Sequence, residues 1–494
     1  MGFKADTSFL KFVTMGARGV HHTMEHLSDA GFKPIELERY CGSNKIWATK
    51  VKRLRLPDLL CVRTGLRVEV RAKSDLKIRM SDAPANPDRV WDAGLRNNDL
   101  VAFVACRDTD EGPLPFDTPS FFTVEALRGS AASSKLGPPK SASEGAERDR
   151  TWPASVPARD GKVIQVTSEK IVTQMLATGD QDARNQTFPL NGKTAYVRVG
   201  DTFKAESCFL SGAPASMADL AAYLSEIYDP ISALHSSNAV DRYAGAKALR
   251  MREDIARDRR RSELEGLIKK EAEVRVRLEA AGSAVVLGSS LGQDMIGDLV
   301  WTNEAAPEMR MEAVLILTEL GSERFTRDQL RKIATAEQFT GNEIRQAAVW
   351  GLGKSGLKSY EDLVEFLDDS EENVVLHAIA AFGQDTPPLV IGRLIEKLLL
   401  ADKRVAPAAS AALRLIGSDA VLESLVHAYQ QNPKAKNWIL ATLGRMSPQL
   451  VRDKLQGQPI LEKVEPMLLF APGANWLSSE EMAINVSFLL KQNI

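Results

Sequence analysis

The C-terminal half of the chain repeats one short pattern, and this repetition limits the available folds more than any other sequence feature. From about residue 240 onward, a basic residue is often followed by a small residue, then by an apolar one, and commonly by a glycine. The clearest copy is EIRQAAVWGLG, with Arg345, Ala348, Leu352 and Gly353. The copies that close with glycine end at Gly321, Gly353, Gly383, Gly417 and Gly444. Their spacing of roughly 27 to 34 residues accommodates two helices and their turns.

Each repeat is expected to pack closely against the next one. A small residue such as Ala348 lets neighbouring helices approach, and Gly353 is predicted to end its helix in the left-handed conformation. Segments between the copies, such as SYEDLVEFLDD, are amphipathic and typical of a second helix. Residues 236–494 therefore resemble short HEAT repeats, most clearly up to about residue 460. The resemblance implies an all-α solenoid, and a non-repetitive helical bundle is the alternative.

The first 127 residues follow a different pattern, typical of an α/β domain. Residues 8–30 carry apolar side chains at helical spacing, and Gly31 follows as a stop. Strand-like runs come next at PIELERY, KIWATKV, PDLLCV, LRVEVRAK and DLVAFVAC. Residues 128–162 are rich in Ser, Ala, Gly and Pro, which predicts a flexible linker or long loop. Residues 163–235 form a small β-rich segment, either a separate domain or late strands of the first.

The stretch PDLLCVRTGLRVEVRAKS, residues 57–74, predicts a β-hairpin with Thr64-Gly65 as a two-residue turn. That turn pairs Leu60 with Glu69 and Asp58 with Arg71. Because side chains alternate along a strand, one face carries Asp58, Leu60, Val62, Glu69, Arg71 and Lys73. The other face carries Leu59, Cys61, Val68, Val70 and Ala72. Asp58 and Glu69 become diagonal neighbours about 7–8 Å apart, a gap that their side chains can close over one ion.

This arrangement suits phosphodiester hydrolysis with Mg²⁺ or Mn²⁺, since carboxylate oxygens hold such ions and a cation stabilises the developing charge. The stretch resembles the PD-(D/E)XK nuclease superfamily, with Pro57-Asp58 followed by Glu69-Val70-Arg71, over about residues 8–106. The resemblance implies a restriction-endonuclease-like mixed sheet, with Asp58 and Glu69 as metal ligands and Glu25 as the superfamily's helical carboxylate. Arg71 departs from the motif, which has lysine there. Arg71 stays protonated and can stabilise charge, whereas Lys73 is predicted to act as a migrated lysine.

Cations cluster near this motif and predict contacts with DNA phosphates. The predicted contact residues are Lys45, Lys50, Lys52, Arg53 and Arg55. We therefore expect a metal-dependent DNA endonuclease, of the kind used in restriction or defence, with the repeats as a platform for DNA or a protein partner. Arg71 favours an alternative, a catalytically inactive nuclease-like scaffold that binds nucleic acid or protein. A third reading is that the repeats carry the function alone, as in HEAT-like DNA glycosylases.

Composition excludes several other classes of protein. Hydrophobic residues make up 44% and charged residues 26%, which is typical of a globular protein. No run of about eighteen apolar residues occurs and the N-terminus lacks a secretory signal, so we expect no membrane contact and a cytoplasmic location. The cysteines form no CxxC pair, which favours buried thiols. His22 and His26 are spaced for metal binding on one helix face, but the sequence suggests no third ligand.

Overall fold

The computed structural model describes residues 7–37, 47, 49, 54–83, 86, 89–109, 112–137, 146–177, 179, 182–320, 324–354, 359–400, 402, 404–432 and 435–470. Within these residues an N-terminal α/β part with a mixed sheet is followed by a β-rich part and then by helices. The order of the three parts predicted from the sequence is therefore confirmed.

The N-terminal part is one long helix packed on a mixed sheet. Its elements are α1 (Thr7–Asp29), β1 (Pro34–Glu36), β2 (Leu59–Cys61), β3 (Arg67–Lys73), β4 (Arg79–Asp82), β5 (Leu100–Thr109), β6 (Gly112–Pro115), β7 (Ser120–Thr123) and α2 (Val124–Arg128). The sheet runs β1-β2-β3-β5-β6, and β7 also pairs with β5. Strands β1, β2 and β3 are antiparallel, whereas β3 and β5 are parallel. The predicted hairpin, formed by β2 and β3, thus lies within the mixed sheet between β1 and β5.

Helix α1 lies close against the face of β3 that carries Val70 and Ala72. A Cβ added to Gly19 would lie 2.5 Å from the Ala72 Cβ, so only glycine permits this approach. The helix ends before Gly31, whose φ of +93° favours glycine. The predicted helix and its stop signal are both confirmed.

The segment predicted as a linker contains strands. Its strand β9 (Glu147–Thr151) pairs with β4 on one side and with β8 (Ser133–Gly137) on the other, which gives a three-stranded sheet. Arg148 and Arg150 both bind the buried Asp82 carboxylate from β9, and the Trp152 indole donates to the Leu127 carbonyl at 2.9 Å. These partners lie far away in the sequence, so composition alone gave no sign of this sheet.

The middle part is rich in β-structure, as predicted. Its further strands are β10 (Ala154–Ser155), β11 (Gly161–Val166), β12 (Lys170–Met175), β13 (Arg184–Pro189), β14 (Thr194–Ala195), β15 (Thr202–Phe203) and β16 (Ser211–Gly212). They form a four-stranded sheet of order β13-β12-β11-β15 and a three-stranded sheet of order β10-β16-β14. Phe209, from the loop before β16, shares a cluster with Phe103 and Phe122 of the N-terminal sheet. The two parts therefore pack against each other through aromatic side chains.

The C-terminal part consists of helices separated by short stretches of sequence. They are α3 (Pro230–Ala233), α4 (Ala239–Arg250), α5 (Arg257–Lys270), α6 (Val274–Val286), α7 (Ser290–Trp301), α8 (Pro307–Glu319), α9 (Arg324–Thr335), α10 (Glu343–Leu352), α11 (Tyr360–Glu365), α12 (Glu372–Ala380), α13 (Pro388–Leu399), α14 (Val405–Ile416), α15 (Asp419–Gln431), α16 (Lys436–Leu443), α17 (Pro448–Leu455) and α18 (Pro459–Phe470). From α4 to α18, each even-numbered helix contacts the next even-numbered one. Of the helices described here, none has the length and apolar character needed to cross a membrane.

The closing glycines serve two different purposes. Gly417 has φ +56° and ends α14 in the left-handed conformation. Gly353 instead keeps a helical φ of −81°, so the prediction of a left-handed stop is wrong there. A Cβ on Gly353 would lie 2.7 Å from the Ala381 Cβ, and one on Gly444 would lie 2.6 Å from the Met467 Cβ. At these two positions glycine is required by close packing against a later helix.

The helices pack directly on the N-terminal part. Leu60 and Val62 of the hairpin share a hydrophobic cluster with Ala244 and Ala248 of α4. Further along the array, the buried Trp47 ring lies 5.4 Å from the ring of His377 in α12. The two parts therefore share buried surface at two separate places.

Candidate functional site

The predicted hairpin exists, but its pairing differs from the predicted one by two residues. Leu59 pairs with Val68 and Leu60 pairs with Arg67, so the turn spans Val62 to Gly65. The predicted pairs of Leu60 with Glu69 and Asp58 with Arg71 are therefore wrong. The longer turn is closed by the Gly65 N–H, which donates to the Cys61 carbonyl at 2.8 Å, and by the φ of +74° at Gly65.

A shift of two residues leaves each side chain on its predicted face. The buried cluster beneath α1 contains Leu59, Cys61, Val68 and Val70, whereas Leu60 and Val62 lie in the cluster beneath α4. One step beyond the last observed pair, the register sets Asp58 opposite Glu69 rather than diagonal to it. Extended in this way, the register would bring the two backbone positions closer together than the diagonal arrangement predicted from the sequence.

Both carboxylates of this pair make contacts within the protein. Asp58 is buried, and its Oδ2 accepts the Val70 N–H at 2.7 Å. Glu69 is partly buried, and its Oε1 lies 2.6 Å from Arg71 Nη2. The first contact gives the Val70 amide a partner just beyond the end of the β2–β3 ladder, which also holds the Asp58 side chain in place.

Lys73 lies in an environment that disfavours its charged form. Burial lowers the pKa of Lys73 to about 8, and the nearby cations Arg79 and Arg71 lower it further, whereas Asp149 and Asp75 act in the opposite direction. A lysine in this environment loses its proton within reach of neutral pH. It can therefore exchange a proton, which Arg71 cannot do.

Sequence reasoning missed Arg79, which lies on β4 near Lys73. Its Nε atom is buried and makes no hydrogen bond among the described residues. Arg79 pairs in register with Thr151 of β9, and Ser81 on the same strand donates to Asp149 at 2.5 Å. Arg79 could not be found from the sequence because β9 comes from the segment predicted as a linker.

Asp58, Glu69, Arg71 and Lys73 form a polar row on one face of the sheet. This polar row lies between two hydrophobic clusters. Ile35, Leu37, Leu60 and Val62 form one cluster with α4. Val101, Phe103 and Ala105 of β5 form the other with Trp152. At the start of β3, the buried Arg67 binds Asp99 with Nε–O distances of 3.0 and 3.1 Å. Apolar walls lower the local dielectric constant, so the charges between them interact more strongly than they would in water.

Glu25 is not brought to this row. It is exposed, and its Oε1 lies 3.4 Å from His21 Nδ1 on the same helix. Helix α1 packs on the Val70 and Ala72 face of β3, whereas Glu69 alternates to the opposite face. The sheet therefore lies between α1 and the row that carries Asp58 and Glu69.

Most of the predicted DNA-contacting cations lie outside the described residues, namely Lys45, Lys50, Lys52 and Arg53. Arg55 is described and exposed. Its carbonyl oxygen would lie 2.3 Å from a Cβ on Gly94, which has φ +78°. Gly94 thus allows the chain at Arg55 to pass close by.

No group of three or more His, Cys, Asp or Glu side chains that could hold a metal occurs in the described part of the chain. His22 Nε2 lies 2.6 Å from the Asp117 carbonyl oxygen, and the His26 ring stacks on Phe121. These contacts give both histidines roles within the fold. A Mg²⁺ site needs only one or two carboxylates, because water and substrate phosphate complete its octahedron. Asp58 and Glu69 supply two carboxylates near the adjacent strands β2 and β3, each with a partner inside the protein.

The chain matches no protein-family model, and no curated protein matches it. The geometry around the hairpin is therefore the ground for a functional proposal.

Proposed function

We propose that the chain is a metal-dependent DNA endonuclease whose site is the row formed by Asp58, Glu69, Arg71 and Lys73. The observation that supports the proposal is the pairing register, which, extended by one residue beyond the Leu59–Val68 pair, would bring Asp58 opposite Glu69 on the face that also carries Lys73. Two carboxylates and a lysine with a lowered pKa are the groups that phosphodiester hydrolysis needs. Restriction or defence against foreign DNA is the role that we propose for such an enzyme.

Asp58 and Glu69 would hold Mg²⁺ or Mn²⁺. Both are oxygen ligands on neighbouring strands, and at least one of them, Asp58, is held by a backbone N–H in a single orientation. When bound, the ion would polarise the scissile phosphate and compensate the charge of two carboxylates in a site of low dielectric constant. Arg71 already supplies part of that compensation to Glu69.

The protein's own residues would contribute proton transfer and charge stabilisation. As a water oxygen attacks phosphorus, the neutral amine of Lys73 would take the water's proton, and the P–O bond to the leaving sugar oxygen would break. The leaving oxygen would depart with the bonding electrons and take a proton from solvent water. Arg71 and Arg79 would stabilise the negative charge that develops on the phosphate oxygens. Lys73 suits this role because burial and its two cationic neighbours lower its pKa.

The helical part would serve as a HEAT-like solenoid that binds DNA or a protein partner. The regular contact between successive even-numbered helices supports this proposal. It is also supported by Arg242 and Arg345, which occupy matching positions in two copies of the sequence pattern and bind carboxylates ahead of the following even-numbered helix. Each such unit buries its apolar face only against its neighbours.

A plasmid assay tests this proposal. The protein is incubated with supercoiled DNA and Mg²⁺ or Mn²⁺, beside Asp58→Asn and Glu69→Gln. Asp58→Asn keeps an oxygen that can accept the Val70 N–H, so the hairpin should fold, which circular dichroism verifies. We expect both substitutions to lower cleavage by at least about a hundredfold. The matched control is Asp108→Asn, because Asp108 is an exposed carboxylate of the same sheet that pairs with Lys11.

Cleavage by both variants at the parent rate would remove this site from consideration. A direct measurement of Mn²⁺ binding by electron paramagnetic resonance separates loss of the ion from loss of chemistry. The parent and Asp108→Asn should bind Mn²⁺, and the two site variants should not.

A catalytically inactive scaffold that binds nucleic acid or protein is the second candidate. The contacts that favour it are the Glu69–Arg71 ion pair and the Asp58–Val70 hydrogen bond, because they give both carboxylates structural partners. This candidate predicts DNA or protein binding that does not depend on divalent ions. Retained DNA binding by the parent in EDTA, without cleavage under any metal condition, would support it.

A further inference from the structure

The turn of the hairpin is packed against Tyr228, a residue from outside the N-terminal part. The Tyr228 N–H donates to the Arg63 carbonyl at 2.8 Å. The Tyr228 ring lies against Gly65 so closely that a Cβ there would be 2.8 Å from the ring Cδ2 atom. The turn is therefore covered by the segment that leads into α3.

Arg252, directly after α4, connects this segment to the hairpin. Its Nη1 donates to the Tyr228 carbonyl at 2.6 Å and to the Val62 carbonyl at 3.4 Å. Its Nε and Nη2 bind the carboxylate of Asp254 at 2.8 and 2.7 Å. Backbone carbonyls bind one edge of the guanidinium and a carboxylate binds the other edge. These contacts hold the side chain of Arg252 in place, so that it joins α4 to the hairpin turn.

Asp241, in the first turn of α4, contacts the same hairpin at the start of β3. Its Oδ1 lies 3.3 Å from Nη1 of the buried Arg67 and also binds Arg96. Arg67 precedes Glu69 by two residues, so both side chains project from the same face of β3. Helix α4 thus reaches the hairpin at its turn and beside Glu69.

We infer that Arg252 and Asp241 are positioning residues for the candidate site, so that the helical part helps to hold in place the hairpin that carries Asp58 and Glu69. The effect on cleavage rests on the proposed endonuclease function, whereas the effect on the hairpin does not. Orientation matters at such a site because a displacement of about 1 Å between reacting groups can cost a hundredfold in rate. A ligand on the helices that moved α4 would move the two carboxylates as well.

Hydrogen exchange of the Val70 amide tests the positioning directly, since that amide is bonded to Asp58. We expect Arg252→Ala to raise its exchange rate by about tenfold, because a charged hydrogen bond to the hairpin is lost. Arg252→Lys keeps one donor and should restore part of the protection. Arg257→Ala is the matched control, since Arg257 also donates to backbone carbonyls, of Leu287 and Val286, but away from the hairpin.

The second readout is cleavage by Asp241→Asn. Arg67 keeps Asp99 as its partner in this variant, so the fold should persist. We expect kcat to fall about tenfold with little change in KM, because the reacting groups are displaced while DNA contacts remain.

Unchanged Val70 exchange in both Arg252→Ala and Asp241→Asn would overturn the positioning role, whether or not the parent cuts DNA. Faster exchange in these variants without cleavage by the parent would support the positioning role and remove the endonuclease function. The two proposals therefore fail separately.

Discussion

Charged side chains are arranged differently in the helical part and in the N-terminal sheet. In the helical part, Arg345 binds Asp369 and Glu371 ahead of α12, and Arg242 binds Glu271 ahead of α6 in the same way. In the sheet, Glu69, Arg71 and Lys73 occupy alternate positions along the single strand β3. A charge pair that recurs at matching positions in two units, between α4 and α6 and between α10 and α12, has a structural explanation, because it joins two helices in the same way each time.

The charges on β3 differ from those joints in a second way. The carboxylates paired with Arg345 and Arg242 raise the pKa of both guanidinium groups, as expected for pairs that stabilise the charged form. Lys73 has a lowered pKa, because burial and cationic neighbours disfavour its charged form. Natural proteins tolerate such an unfavourable environment most often at functional sites. The direction of the pKa shift therefore distinguishes the structural ion pairs of Arg345 and Arg242 from Lys73 in the candidate site.

The largest expected effect concerns Trp47, where the two parts meet. Its buried indole lies beside the His377 ring, which itself contacts Trp350, and the Thr49 N–H donates to Glu343 at 2.7 Å. We expect Trp47→Ala to lower the free energy of unfolding by about 3–5 kcal/mol, because a large cavity is left between the parts. Urea unfolding followed by circular dichroism measures this, with Phe12→Ala as an exposed aromatic control. An unchanged midpoint would mean that the two parts are stable independently of this contact.

The next prediction concerns a repeated charge pair. Arg345→Ala leaves two largely buried carboxylates without their guanidinium partner, which should cost about 3 kcal/mol of stability. Arg324→Ala is its control, because Arg324 is exposed and lies 3.7 Å from Asp328. Metal-dependent cleavage per folded molecule should be unchanged in both variants. A specific loss of cleavage in Arg345→Ala would contradict the division between structural and functional charges.

The next prediction concerns Lys73, which belongs to the charged row on β3 rather than to the ion pairs of the helical part. We expect Lys73→Met to lower cleavage by about a hundredfold through loss of the proton acceptor. With a pKa of about 8, the amine is protonated below that pH and neutral above it, so the parent rate should rise through pH 8. Lys73→Arg stays protonated and should lose this rise. A rate profile across pH 6.5–9.5 measures the difference, and an identical rise in all three proteins would exclude Lys73 as the acceptor.

The same titration has a consequence for stability. In the unfolded chain Lys73 holds its proton up to about pH 10.5, whereas in the folded protein it releases the proton near pH 8. Between these values the unfolded state binds more protons, so the contribution of Lys73 to folding stability rises with pH. Below pH 8 its full unfavourable cost is present. The stability gained on substitution to methionine should therefore shrink as the pH is raised from 8 to 10.

The sequence predicted features set by local pattern and missed those set by distant partners. Strand alternation placed Asp58, Glu69 and Lys73 on one face, and this survived a wrong register because the error was two residues. The turn length depended on the packing of Gly65 against Tyr228, which is far away in the chain. Arg79 was missed for the same reason. Glu25 has suitable spacing on its helix, but the packing of Gly19 on Ala72 puts α1 on the opposite face.

The smallest expected changes in stability come from replacing glycines in the helical part with alanine. One such substitution should destabilise the protein and another should stabilise it. Gly353 has helical dihedral angles, so alanine there brings no backbone strain, but its Cβ would lie 2.7 Å from the Ala381 Cβ. We expect Gly353→Ala to destabilise the protein by about 1–3 kcal/mol because the next repeat must shift. Gly392, inside α13, has nothing within 4 Å of an added Cβ. Gly392→Ala should stabilise by about 0.5–1 kcal/mol, since alanine loses less backbone entropy in a helix. If thermal unfolding showed both substitutions to be stabilising, the repeats could separate at Gly353 without cost, and close stacking could not be what couples them.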